Sequence, residues 1–207
     1  MWETIMRPVF VRGKMNEQTL SGSVSAGSCR LPVTGAIGYF TAGDLIFVSD
    51  ADGTLVEFLG PATVVLANEV RTLGAVAMGR STGARIWKPE HFFQWTVERA
   101  MPILRTHDTG IVARRSAGGV LYVTKVRETS ISETLRFEDL RRSEAVQFTD
   151  WVEECLNGGL EKFTFCDGEG AVQISILLST RILQNEKSYQ HVTLELELEC
   201  IESASYL

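Results

Sequence analysis

The segment VTLELELEC, residues 192–200, alternates without exception. Val192, Leu194, Leu196, Leu198 and Cys200 fall on one side, and Thr193, Glu195, Glu197 and Glu199 on the other. Period two is the period of a strand, so this stretch requires a sheet with one dry face and one wet face. The dry face needs a cover, and the chain offers one convincing helix to supply it. Residues 143–157 place Ala145, Phe148, Val152 and Cys155 at i, i+3, i+7 and i+10, with Trp151 and Leu156 widening the stripe. Ser143 is the expected N-cap, with Glu144 suited to the positive helix start. Asn157, Gly158 and Gly159 provide a left-handed residue to end the helix. Asp150, Glu153 and Glu154 lie on the opposite side, so the helix is expected to cross a sheet with water beyond it.

The rest of the chain reads as strands and turns. Val9, Phe10 and Val11 suggest a short strand, and SGSVSAGS (21–28) a loop or weak edge. Residues 45–49 and 55–59 form a hairpin around the turn Asp50-Ala51-Asp52-Gly53. Residues 63–70 and 74–78 add two β-rich runs. Short strands at this spacing build small barrels, so a small N-terminal β-barrel is expected over 1–90. The pattern restarts at His91, where Phe93, Trp95 and Val97 alternate with polar residues. A boundary near 88–91 therefore separates the barrel from an antiparallel β-sandwich at 91–207, flanked by the helix at 143–157. Further hairpins are expected at 110–127, around Ala117-Gly118-Gly119, and at 163–178, around residues 167–170.

Composition narrows the function classes. An apolar fraction of 44% supports real cores. Residues 1–90 balance their charges, so the formal net charge of −6 resides in 91–207. A chain without a basic tract does not neutralise nucleic acid or an anionic membrane. Cys29, Cys155, Cys166 and Cys200 are far apart with no CxxC pair, which reads as free thiols in a protein made in a reducing cytoplasm. No run approaches the roughly 18 apolar residues of a membrane span.

Catalytic and metal chemistry find little support. Asp50-x-Asp52-Gly53 resembles the start of a calcium loop, but its fifth and twelfth positions are Thr54 and Pro61, so a hairpin turn is the better reading. His91, His107 and His191 are separated by whole elements, and no nucleophile motif accompanies them. No enzyme activity, cofactor or metal is expected. The Glu195, Glu197 and Glu199 row is different: same-face residues lie about 6.5–7 Å apart, making a strip of negative potential. Solvation is its plain role. A functional one is to meet cations of a neighbouring copy or to line a lumen that repels DNA, with Arg114, Arg115, Arg141 and Arg142 as candidate opposite charges.

In the second part, Leu140, Ala145, Phe148, Trp151, Val152, Leu160, Phe163, Phe165, Asp167, Gly170 and the closing LELELE form a connected pattern. It resembles the minor tail and distal tail (baseplate) proteins of long-tailed bacteriophages. In the first part, Gly43-Asp44, the Asp50-to-Gly53 turn, residues 57–60 and Gly83-Ala84-Arg85-Ile86-Trp87 resemble a small β-barrel module appended in such proteins. The resemblance implies a structural virion protein: a ring, often hexameric, at the distal end of the tail. It would join the tail tube protein to the baseplate hub protein, with DNA only as passing cargo. Such a protein would assemble in the host cytoplasm and reside in the virion. Alternatives are a tail terminator or head-tail connector ring, or a carbohydrate-binding module using Trp87 or Trp95 as a stacking platform.

Overall fold

The computed structural model describes residues 8–95, 103–108, 111–115, 121–125, 130–166, 172–184 and 189–204, with side chains placed for 8–95, 132–166, 172–183 and 189–201. Before the helix come β1 (Val9–Thr19), β2 (Arg30–Pro32), a 3₁₀ turn (Ala36–Gly38), β3 (Leu45–Ser49), β4 (Glu57–Leu66), β5 (Glu69–Thr72) and β6 (Arg85–Gln94). They are followed by β7 (Ile103–Asp108), β8 (Ile111–Arg115), β9 (Leu121–Lys125) and β10 (Ser130–Arg141). Helix α1 (Arg142–Leu156) precedes β11 (Phe163–Cys166), β12 (Val172–Gln184) and β13 (His191–Ala204). The protein is mainly β with one helix. It divides into two compact units, one of residues 1–98, 163–173 and 203–207 and one of 99–162 and 174–202.

This division departs from a boundary at 88–91. β6 is one continuous strand through that point, paired with β1 from Thr19↔Arg85 to Val9↔Gln94. β3 accompanies β6 only from Arg85 to Trp87. Among the described residues β6 beyond Trp87 pairs with β1 alone, and there Pro89, which lacks an N–H, is tolerated. β11 also joins the first unit by pairing with β1, Phe10↔Phe165 at its centre.

In the first unit the strand order is β2-β5-β4-β3-β6-β1-β11. Its antiparallel ladders are repeatedly bulged. Between Leu45↔Pro61 and Phe47↔Phe58 the β4 side spends one extra residue, where Gly60 has φ 71°. A second extra residue on β4 lies between Ala62↔Thr72 and Val64↔Arg71. A third lies on β1 between Met15 and Gln18, where Asn16 has φ 54°. Bulges bend and twist a strand, so the sheet rolls around a core that includes Leu20, Leu31, Val33, Phe40, Ile46 and Leu59. Among the described residues the sheet stops short of a closed barrel: the Ser21 N–H donates to the Pro32 carbonyl, one bond between the ends of β1 and β2 rather than a ladder. A second cluster gathers Val9, Val11, Leu45, Phe47, Phe58 and Trp87. Within it Phe47 stacks on Trp87 at 4.4 Å and 9°.

Residues 74–78, expected as a strand, form a hydrogen-bonded loop held by a buried ion-pair network. Arg80 is 3% exposed and donates to Asp50, to Glu57 and to the Leu55 carbonyl. Glu57 in turn accepts from the backbone N–H groups of Ala77 and Met78 at 2.8 and 3.2 Å. The guanidinium thus ties the 50–57 turn to the loop that precedes β6. The return strand of the hairpin begins at Glu57 rather than at residue 55, where Leu55 is left-handed (φ 47°).

In the second unit the sheet order is β12-β13-β10-β7, with β8 and β9 forming a separate two-stranded pair. The β8–β9 register, Ile111↔Lys125 to Arg115↔Leu121, is the expected hairpin, its tip at 116–120 lying outside the described residues. The turn at 167–170 and the position Val97 lie outside them too. β13 alternates as anticipated: Val192, Leu194, Leu196 and Leu198 are buried, while Glu195 and Glu199 are half-buried and Glu197 exposed. Helix α1 lies against β10 and buries Ala145, Phe148, Trp151, Val152 and Leu156. Cys155 is only half-buried, because Leu156 takes the central place in the last turn.

The helix begins one residue early. Arg141, extended at φ −63° and ψ 135°, is the N-cap, it makes no side-chain capping bond, and Ser143 sits inside the first turn. The Arg142 N–H instead donates to the Gln190 carbonyl at 2.8 Å, so a neighbouring segment does what a serine cap would have done. The C-terminus ends as anticipated, with Asn157, Gly158 and Gly159 at φ 50°, 69° and 91°. A Cβ on Gly159 would come within 3.3 Å of the Leu177 carbonyl oxygen.

Two consequences follow for stability. Phe148→Ala removes a fully buried ring and is expected to cost about 3–5 kcal/mol, whereas Val146→Ala, at a 47% exposed position, is expected to be near neutral; urea unfolding followed by circular dichroism measures both. Arg80→Ala strands the buried Glu57 carboxylate and is expected to cost about 3–5 kcal/mol in the same assay, with Asp50→Ala well below that because Asp50 is a third exposed.

Candidate interaction surface

The wet face of the second unit carries the acidic row, and the structure assigns each member a neighbour. Glu195 stands opposite Arg136, whose Nε lies 3.7 Å from its Oε1 and 3.2 Å from Glu138. Glu197 stands opposite Thr134 and accepts from the Ser179 hydroxyl at 3.2 Å. Glu199 stands opposite Ser132. On the dry side Leu135↔Leu196 and Phe137↔Leu194 continue the core. The row is therefore a partly answered strip on a solvated sheet face, and Arg136, which the sequence reading passed over, is its internal counter-charge. Such exposed pairs contribute about 0–1 kcal/mol each, so their stabilising role is small.

The candidate cations separate into two places. Arg114 and Arg115 lie in β8 opposite Tyr122 and Leu121, with side chains outside the described set. Arg141 and Arg142 stand at the junction of β10 and α1, both exposed. Together with Ser143, Gln190 and His191 they line an open recess of about 460 Å³. A bulge in β10 adjoins the recess. Between Phe137↔Leu194 and Leu140↔Val192 β10 holds one extra residue, and Asp139 there turns left-handed at φ 57°. Its carboxylate comes 3.9 Å from His191 Nδ1, and Arg141 stays in register with His191. Arg141 and Arg142 form no ion pair among the described residues, so the recess presents two unanswered guanidinium groups at a helix start. It has donors for an acidic partner.

The other singled-out groups are absorbed by structure. In the 50–53 turn the Gly53 N–H donates to the Asp50 carbonyl at 2.9 Å. The Asp52 carboxylate accepts from the Thr54 hydroxyl at 2.7 Å and its N–H at 3.0 Å. Asp50 is turned toward Arg80, so the two carboxylates diverge instead of converging on an ion. Among the described residues no group of three His, Cys, Asp or Glu side chains is placed to hold a metal. Trp87 and Trp95 are buried at 2% and 3% exposure and offer no open ring face for a sugar, which removes the named platform of the carbohydrate reading. Among the described residues no helix is long and apolar enough to cross a membrane.

Neither the models of known protein families nor the curated proteins contain a match to the chain.

The Thr54 hydroxyl, then its N–H and more weakly Arg85, hold the exposed Asp52 carboxyl below the ordinary value of 3.8. A depressed folded pKa means that the turn gains stability above the ordinary carboxylate range and loses it as pH falls through the folded value. Carbon-detected NMR titration of Asp52 is expected to give a pKa below 3.8, and Thr54→Ala to move it back upward while leaving part of the depression from the remaining N–H.

Proposed function

We propose that this chain is a structural virion protein that forms a ring at the distal end of a phage tail, between the tail tube and the baseplate hub. The observation that carries this reading is the second unit. It is an antiparallel sheet covered by one helix whose buried Phe148, Trp151 and Val152 are the positions of the resemblance, with Arg141 and Arg142 left unanswered at its rim. Buried aromatic packing of this sort makes a rigid protomer, and unanswered surface charge suits contact with another copy. Apolar side chains add to that surface: Leu178, Ile182 and Leu183 of β12 are 50%, 45% and 42% exposed. The rolled first unit serves as the appended barrel-like module, reaching toward a second baseplate protein. Glu197 and Glu199 fit a surface that lets DNA pass without sticking. The role is scaffolding rather than catalysis.

Sedimentation velocity of the purified chain, alone and with the tail tube and hub proteins of the same phage, tests the reading. Concentration-dependent growth to one closed species, seen as rings by negative-stain microscopy, is the expected outcome. A monomer under every one of those conditions rules the ring out.

A further inference from the structure

Helix α1 carries its exposed charges in the order opposite to that which favours an isolated helix. A helix start is partially positive and a helix end partially negative, so acids suit the start and bases the end. Here Arg141 and Arg142 stand at the start, and the exposed Asp150, Glu153 and Glu154 occupy the second half, with no basic residue in the last turn. None of these five side chains makes an ion pair among the described residues. The acids nearest the start are otherwise placed: Glu138 meets Arg136, Asp139 faces His191, and Glu144 is buried. Side-chain charge and backbone dipole therefore add, giving the outer side of α1 a positive end and a negative end.

The two ends do not cancel each other within one copy. Arg142 and Glu153 are eleven residues apart, about 16 Å along a helix at 1.5 Å per residue. That exceeds the screening length of roughly 8 Å at physiological salt. Each end is thus a separate patch whose complement is the other end of the same element.

We infer that α1 is the docking element between copies. Glu153 and Glu154 of one copy enter the Arg141–Arg142 recess of the next, with Asp150 at the margin. The occupant of the recess is a second copy of this chain, chosen by charge complementarity, and the recess of about 460 Å³ has room for carboxylate side chains. The contact joins two different patches, so it is head-to-tail and closes into a ring when the rotation per copy divides a full turn. This rests on the ring reading above and names its contact: the acids of α1 take the role first assigned to Glu195, Glu197 and Glu199, two of which already have internal partners.

A reciprocal charge swap tests it. One variant carries Arg141→Glu and Arg142→Glu, the other Glu153→Arg and Glu154→Arg, and each is followed by sedimentation velocity at low and high salt. Each swap alone is expected to weaken self-association about tenfold or more, and wild-type association to weaken with salt. An equimolar mixture of the two variants is expected to restore association, because each offers the charge that the other lacks. Both swaps place charge as the dipole favours, so thermal melting of the monomers is expected to stay level or rise, which separates a lost contact from a damaged fold. Association that is unchanged by both swaps overturns the α1 contact and leaves the ring reading standing. Swaps that weaken association without rescue on mixing also overturn it. A wild-type chain that stays monomeric alone but binds the tube or hub protein through these residues makes the occupant another protein and overturns it as well. Monomers under all conditions overturn both readings.

Discussion

The second unit depends on the burial of one face of the β10–β13 pair, with α1 lying against β10. A strand that alternates as strictly as β13 leaves Leu194, Leu196 and Leu198 on one side, and no antiparallel partner alone removes that side from water. Phe148, Trp151, Val152 and Leu156 are buried as well, on a helix that lies against β10. Each large side chain so buried contributes about 1.5–3 kcal/mol, so the helix face as a whole outweighs any single surface ion pair by several-fold. The glycine-rich C-terminus then turns the chain sharply enough for β11 to begin seven residues after the helix ends.

What was legible in the sequence is what depends on periodicity. The alternation of β13, the stripe of α1 and its Asn157-Gly158-Gly159 end are local patterns whose physical cause lies within a few residues. The misplacements involve residues that answer to distant ones. Ser143 is a sound cap by type, yet the Gln190 carbonyl satisfies the Arg142 N–H and the helix starts earlier. Glu57 and Arg80 are ordinary surface types by composition, and only the fold brings them together in a buried network. The three bulges in the first unit shift register by single residues, and of these only Gly60 marks itself in the sequence. The β6 strand carries a proline and a charged stretch that read as a boundary, because its one-sided pairing beyond Trp87 is a property of the sheet and not of the strand.

The same distinction applies to the candidate surface. Glu195, Glu197 and Glu199 were visible as a row because strand period exposes rows. That Arg136 faces Glu195 depends on register, which no local pattern announces. The recess at Arg141 and Arg142 lies on the far side of the bulge at Asp139, where Arg141 pairs with His191.

The size of the competing terms explains how α1 tolerates its charges. Unfavourable placement against the dipole costs about 0.3–1 kcal/mol per charge at an exposed end and is confined to the terminal turns. Burial of Phe148, Trp151 and Leu156 exceeds that sum, so the helix forms with its charges opposed to its dipole. Water solvates these exposed charges in the lone chain, and the proposed contact between copies gives each end a complement. The outer face of α1 contains both halves of that complement, separated by more than a screening length. In the proposed contact, an end-to-end repeat of the chain sets Glu153 and Glu154 against Arg141 and Arg142 with no second component.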